Sequence, residues 1–243
     1  MDANLANLQQ YITFPQYITA VGALGSAAYG LVDTSKLVRG GPSNHGFGYI
    51  RDLVSNRLFA GIAAGNNGFQ VGDLLSTLRA NWLNGTALDD QKSKAKTLIR
   101  LMLNPQTVTP LAAATGIDPA RLLIIFNQMA AAQPLADADK DIWGRFDLAL
   151  TALLDDAYQS ADQQYRNCAK GWAMLVSIVL AVFGAWLLYK SQSATATFEN
   201  FWNGAAMWAG LITGLLATPL APVAKDLSST LTAAMQALQL KPK

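Results

Sequence analysis

The run GWAMLVSIVLAVFGAWLLYK, residues 171–190, carries no charge between Trp172 and Tyr189. At about 1.5 Å of rise per residue it matches the roughly 30 Å hydrocarbon core of a bilayer, so it predicts a transmembrane helix. Trp172 at one end, with Trp186 and Tyr189 near the other, occupy positions that amphipathic rings prefer at the headgroup level, and Lys170 and Lys190 bracket the run. A second uncharged run, GAAMWAGLITGLLATPLAPV over 204–223, follows the polar hairpin SQSATATFENFWN. Phe198, Phe201, Trp202 and Trp208 gather at its start as an expected interfacial belt, and Pro219 and Pro222 mark where the helix is expected to weaken or end. The short hairpin makes these two spans antiparallel neighbours. An earlier run, YITFPQYITAVGALGSAAYGLV from Tyr11 to Val32, is also uncharged but diluted by Thr, Gln and Ser. Only Asp2 is charged before it, so the basic leader of a signal peptide is missing and a retained helix is expected.

Small residues recur every four positions within these runs. Gly22, Ser26 and Gly30 do so in the first, Ala173, Ser177, Ala181 and Ala185 in the second, and Ala206, Gly210, Gly214 and Thr218 in the third. In lipid there is little hydrophobic force between helices, and smooth faces let backbones approach closely. The three stripes predict a compact bundle, within one chain or between copies. No Asp, Glu, Lys, Arg or His lies centrally in any run, which argues against a proton-coupled transporter or pump.

Between the first and second runs the pattern changes to amphipathic helices. Val71, Leu74, Leu75, Leu78 and Trp82 share a face ended by Asn84-Gly85, and Ala95, Leu98, Ile99 and Met102 share another ended by Asn104-Pro105. In TPLAAATGIDPARLLIIFNQMAAA, Thr109-Pro110 and Asp118-Pro119 each pair a cap with a helix-starting proline, and Gly116 sits where a left-handed residue is needed. This helix, tight turn, helix resembles the helix-turn-helix of DNA-binding proteins over about twenty residues. That motif implies a polar, basic second helix, whereas RLLIIFNQM is apolar nearly all round, so the helix is expected to be buried and not to read bases. Asp137, Asp139 and Asp141 alternate as at the start of an EF-hand loop, but Ile142 and Leu148 stand where its glycine and bidentate glutamate belong. They read as acidic residues favoured by a helix N-terminus.

That helix is expected to be long. Ile142, Phe146, Leu150, Leu153, Ala157, Ala161, Tyr165 and Cys168 form a stripe running into Trp172, and no proline interrupts from Leu135 to Thr218. A helix from Asp139 to Lys190 would extend roughly 75 Å. The part from Ala157 to Cys168 is far along the chain from the helices at 71–82 and 95–102, so a second copy is the expected cover for Phe146, Leu153, Ala157, Ala161 and Tyr165. After the third run, Val223, Leu227, Leu231, Met235 and Leu238 place an apolar face on a C-terminal helix.

Composition supports a membrane location: the chain is 51% hydrophobic and only 14% charged, with a mean hydropathy of +0.20, where soluble domains carry roughly a quarter charged residues. A net charge of +2 over 243 residues is too small to point to nucleic acid. With one cysteine, Cys168, and one histidine, His45, disulfide frameworks and multi-imidazole or multi-thiolate metal sites within one chain are ruled out, and no cofactor is expected. The stretch GGPSNHGFGYIRD, residues 40–52, lacks the GxxxxGK[ST] pattern of a phosphate loop, and its Gly and Pro content reads as a bend with His45 as a loop hydrogen-bonder. Lys36, Arg39 and Arg51, then Arg166 and Lys170, then Lys225, Lys241 and Lys243 flank the runs on one side, against Lys190 alone on the other. This bias places the middle region and the C-terminus in the cytoplasm.

The sequence therefore predicts an all-α, polytopic membrane protein with about three transmembrane helices and a helical cytoplasmic domain. The expected divisions are 1–39, tail and first span; 40–137, helical cytoplasmic domain; 138–190, long helix continuing into the second span; 191–224, hairpin and third span; and 225–243, C-terminal amphipathic helix. A multi-pass location follows, the inner membrane if the source is bacterial. The expected function is a non-enzymatic, oligomeric membrane anchor or scaffold, in contact with lipids and with a cytoplasmic protein partner. The alternative is an oligomeric channel lined by Thr13, Gln16, Thr19 and Ser26, or by Asn200 and Asn203.

Overall fold

The computed structural model describes residues 2–35, 40–62, 69–192 and 197–239, and every regular element among them is helical. Two compact units divide the chain: Pro42–Arg166, and Met1–Gly41 together with Asn167–Lys243. Lys36, Arg39, Lys241 and Lys243 lie outside the described residues, as do the side chains of Leu227, Leu231, Met235 and Leu238.

The 42–166 unit begins with α2, Ser43–Asp52, after the first helix α1, Asp2–Thr34, and it continues through a π-helical turn over Leu53–Leu58. The stretch read as a bend is therefore mostly helix. Only Gly40 and Gly41, at φ of 86° and 45°, make the turn, and His45 is exposed in the first turn of α2. The reason is apolar spacing: Phe47, Ile50, Leu53, Val54 and Leu58 are all buried on one side, and the gain from burying them outweighs the poor helix propensity of Gly46 and Gly48.

Helix α3, Val71–Leu83, buries Leu74, Leu78 and Trp82, as its pattern predicts, and the Asp73 carboxylate accepts from the Gln70 backbone N–H at 2.9 Å to cap its start. Helix α4, Leu88–Leu101, has Asp89 and Asp90 in its first turn and Arg100 in its last, the polarity that the helix dipole favours. Helices α5, Val108–Thr115, and α6, Pro119–Ala130, meet at 115° across Gly116, which takes φ of 72°. Asp118 accepts from the Arg121 backbone N–H at 2.7 Å with Pro119 behind it, the cap read from the sequence. Leu122 and Ile125 turn inward, so the second helix of this pair presents its apolar side to the core, not to a groove of DNA.

Helix α7 runs unbroken from Asp137 to Gln192. Phe146, Leu150, Leu154, Ala157, Tyr158 and Ala161 complete the core of the 42–166 unit, and for that reason the compact division falls after Arg166 and not at residue 137.

The other unit contains α1, the later part of α7, the five-residue α8, Phe198–Trp202, and α9, Ala205–Gln239. Among the described residues two helices are long and apolar enough to cross a membrane, Asp137–Ser191 and Ala205–Asp226; a third is reached only if the bent α5–α6 pair counts as one span. The apolar side chains of that pair, Val108, Leu111, Ala112, Leu122 and Ile125, are themselves core residues. Helix α1 is not among the candidates, because Thr, Gln, Ser and Gly hold its hydropathy down; it packs along α9. Pro219 and Pro222, expected to weaken or end the third run, lie inside α9, which continues through them. In apolar helices, neighbouring helices and hydroxyl groups offset the hydrogen bonds that proline removes.

Candidate functional site

The features with the most developed geometry are the faces where helices meet. Among the described residues no group of three His, Cys, Asp or Glu side chains gathers as metal ligands. Asp137 pairs with Lys140 at 2.9 Å, whereas Asp139 is buried and pairs with Arg121 at 2.6 Å, tying α6 to the start of α7. Two of the three alternating aspartates thus serve separate ion pairs, and the set does not converge on a metal.

The seam between α7 and α9 is built from the predicted small residues. Ser177 is fully buried, and its hydroxyl lies 2.7 Å from the Gly214 carbonyl oxygen and 2.8 Å from that of Met174, sharing one proton between them. The Thr218 hydroxyl is 3.3 Å away. A methyl group added at Gly214 would stand 2.9 Å from the Ser177 carbonyl oxygen, and one at Gly210 would stand 2.9 Å from Ala185 Cβ and 3.2 Å from the Ala181 carbonyl oxygen. Ser177 thus faces Gly214 and Thr218 while Ala181 and Ala185 face Gly210, the order of an antiparallel pair. Ala173 is buried too and Ala206 is half-buried. Here the backbones approach closely with only small side chains between them, the arrangement that favours association in lipid.

On α1 the face differs from the predicted one. Gly22 and Gly25 lie against α9, at Ala224 and Ala217, and Ala28 and Val32 bury with Ala173. Ser26 is exposed, its hydroxyl donating to the Gly22 carbonyl at 3.0 Å, and Gly30 is exposed with nothing within 4 Å of an added Cβ. A strict four-residue repeat drifts about 40° round a helix at each step, so alternating steps of three and four keep a straighter face. Val21, Gly25, Ala28 and Val32 follow that rule; Gly22, Ser26 and Gly30 do not.

At the far end of α7, Trp186 lies 5.4 Å from Phe198 and 5.3 Å from Phe201 between ring centroids, and Tyr189 lies 5.8 Å from Phe201. Phe201 is fully buried inside this cluster, while Trp202 and Trp208 are exposed. Of the residues weighed as a pore lining, Thr13 and Gln16 have side chains outside the described set, Ser26 faces outward on α1, and Asn200 and Asn203 are exposed at α8.

Within the 42–166 unit, the chain's own α2 lies against the Ala161–Tyr165 end of the α7 stripe, and Phe146, Leu150, Leu154 and Ala157 bury in the same core. A Cβ on Gly46 would lie 2.5 Å from the Ala161 carbonyl oxygen and 3.1 Å from Tyr165 Cβ. Trp82 packs edge-on to Tyr165 at 6.4 Å and donates its indole N–H to the Ser43 carbonyl at 2.9 Å. Phe146, Ala157 and Ala161 are buried, and Leu153 and Tyr165 are half-buried. The expectation that a second copy covers this stripe loses its basis at Ala161, where α2, unread in the sequence, supplies the cover. Cys168 is half-buried and unbonded to other sulfur.

Sequence reading missed the charged ladder between α4 and α7. Lys92 meets Asp155 at 2.8 Å, Lys96 meets Asp147 at 2.9 Å and the Thr151 hydroxyl at 3.1 Å, and Arg100 pairs with Asp147 while its guanidinium lies 5.6 Å from the Trp143 ring centroid. The signal was present: three cationic residues and three oxygen-bearing ones, each set spaced by four. The hydrogen bonds that the Lys92 ammonium donates to Asp155 and Asp89 hold it above its ordinary pKa, whereas burial, and then Arg100, push Lys96 below.

Tyr158 is fully buried and its hydroxyl has no protein partner; burial alone pushes the phenol well above its ordinary value. A raised phenol in the folded state stabilises the fold below the free tyrosine pKa of about 10, and that contribution fades as pH rises beyond it. Lys92, also raised, acts in the same direction from about the free lysine value upward, so the unit is expected to unfold in strong alkali. Tyr158→Phe is expected to gain about 1–3 kcal/mol at neutral pH by removing the unsatisfied hydroxyl, and to move alkaline unfolding upward. Thermal melts of the detergent-solubilised protein between neutral pH and strong alkali check this; an unchanged melt at both ends would show that the hydroxyl is satisfied.

No family model, curated protein or solved structure matches the chain.

Proposed function

We propose that the chain is a non-enzymatic integral membrane protein that anchors the 42–166 helical unit at a membrane surface as a scaffold for a protein partner. The observation that carries this reading is the inverted distribution of apolar side chains on α7. In its later part the small residues Ala173, Ser177 and Ala181 are buried, while Leu175, Val179 and Phe183 are 53%, 59% and 58% exposed. In the earlier part of the same helix the large apolar residues Phe146, Leu150, Leu154 and Tyr158 are the buried ones. Water favours the second pattern and lipid the first. The lysine and arginine bias supports a cytoplasmic location for the unit and for the C-terminus.

Self-association was expected from the α7 stripe and loses that basis once α2 covers it. What the proposal retains is the lipid contact and a partner for the helical unit. Carbonate extraction of membranes, with reporter fusions after Arg51, Ser193 and Lys243, tests it. The protein is expected to stay in the membrane pellet, with the first and last fusions reporting the same compartment and the second the opposite one. Release into the carbonate supernatant would sink the anchor, and opposite compartments for the first and last fusions would sink the orientation alone.

A further inference from the structure

We draw no further inference here: the strongest candidate, the open polar groove lined by Tyr49 of α2 and by Asp156, Gln159, Ser160 and Gln164 of α7, faces solvent with groups that water satisfies, so nothing in the structure shows what covers it.

Discussion

Replacing Ala161 with glutamate is expected to unfold the 42–166 unit while leaving membrane insertion intact. Ala161 is fully buried at the crossing of α2 and α7, where Gly46 brings the two backbones too close to admit even a methyl group without displacement. A carboxylate there is larger than the space and has no cation facing it among the contacts of Gly46, Trp82 and Tyr165. Burying an unpaired charge costs several kcal/mol, against a total stability of roughly 5–15 kcal/mol for a typical domain. The uncharged run from Trp172 onward is untouched, so targeting and insertion are expected to survive. Limited proteolysis of membranes is the direct measurement: rapid cleavage between residues 42 and 166 is expected for Ala161→Glu, and protection close to the native pattern for Ala161→Ser. A protected variant with a reduced subunit number in detergent would mean that another copy, and not α2, covers this position after all.

The second large effect is expected at Gly214. Leucine there must push α9 away from α7, because the neighbouring atoms are backbone of Ser177 and Ile178, which has no rotamer by which to yield. Overpacking a tight interior costs about 1–3 kcal/mol and more where backbone must move, and the separation also breaks the hydrogen bond from Ser177 to the Gly214 carbonyl. Gly30→Leu is the informative control, since it enlarges a glycine of another span-like helix that has open space beside it. Thermal aggregation and size homogeneity in mild detergent are expected to collapse for Gly214→Leu and to change little for Gly30→Leu. Equal loss in both would show that the exposed face of α1 is also a packed surface in the membrane.

Why α7 and α9 were legible while α2 and the packed face of α1 were not follows from what each helix must bury. A span in lipid needs a long run with no charge, and such a run is visible without knowledge of any partner. The cap and turn chemistry at Asp118, Pro119 and Gly116 was legible for the same reason, because each signal lies within a few residues of its effect. Helix α2 hides among glycines: Gly46 was read as part of a bend, although it serves close approach to Ala161, a residue more than a hundred positions away. The ladder of Lys92, Lys96 and Arg100 against Asp147, Thr151 and Asp155 was missed likewise, since neither half means anything until the two helices are known to be neighbours. On α1 Gly22 was placed on the packed face, but a repeat of four carried the assignment on to the exposed Ser26 and Gly30, where the helix alternates three and four through Gly25, Ala28 and Val32.

The position of Phe146 to Ala161 within α7 sets the timing of synthesis. These residues are the last to leave the ribosome among those that form the core of the 42–166 unit, and the chain that follows them within the same helix is the lipid-seeking run from Trp172. Until they emerge, α2 to α6 have most of a core and no lid for it, with Phe47, Ile50, Leu74, Leu78, Ile99 and Leu122 open to water. On the proposed reading of that run as a membrane span, the insertion machinery would claim the next two dozen residues almost at once. Completion of the folded unit and capture of the span would then fall in one brief interval of translation, and slower elongation just after residue 166 would give the unit time to close before its own helix entered the bilayer.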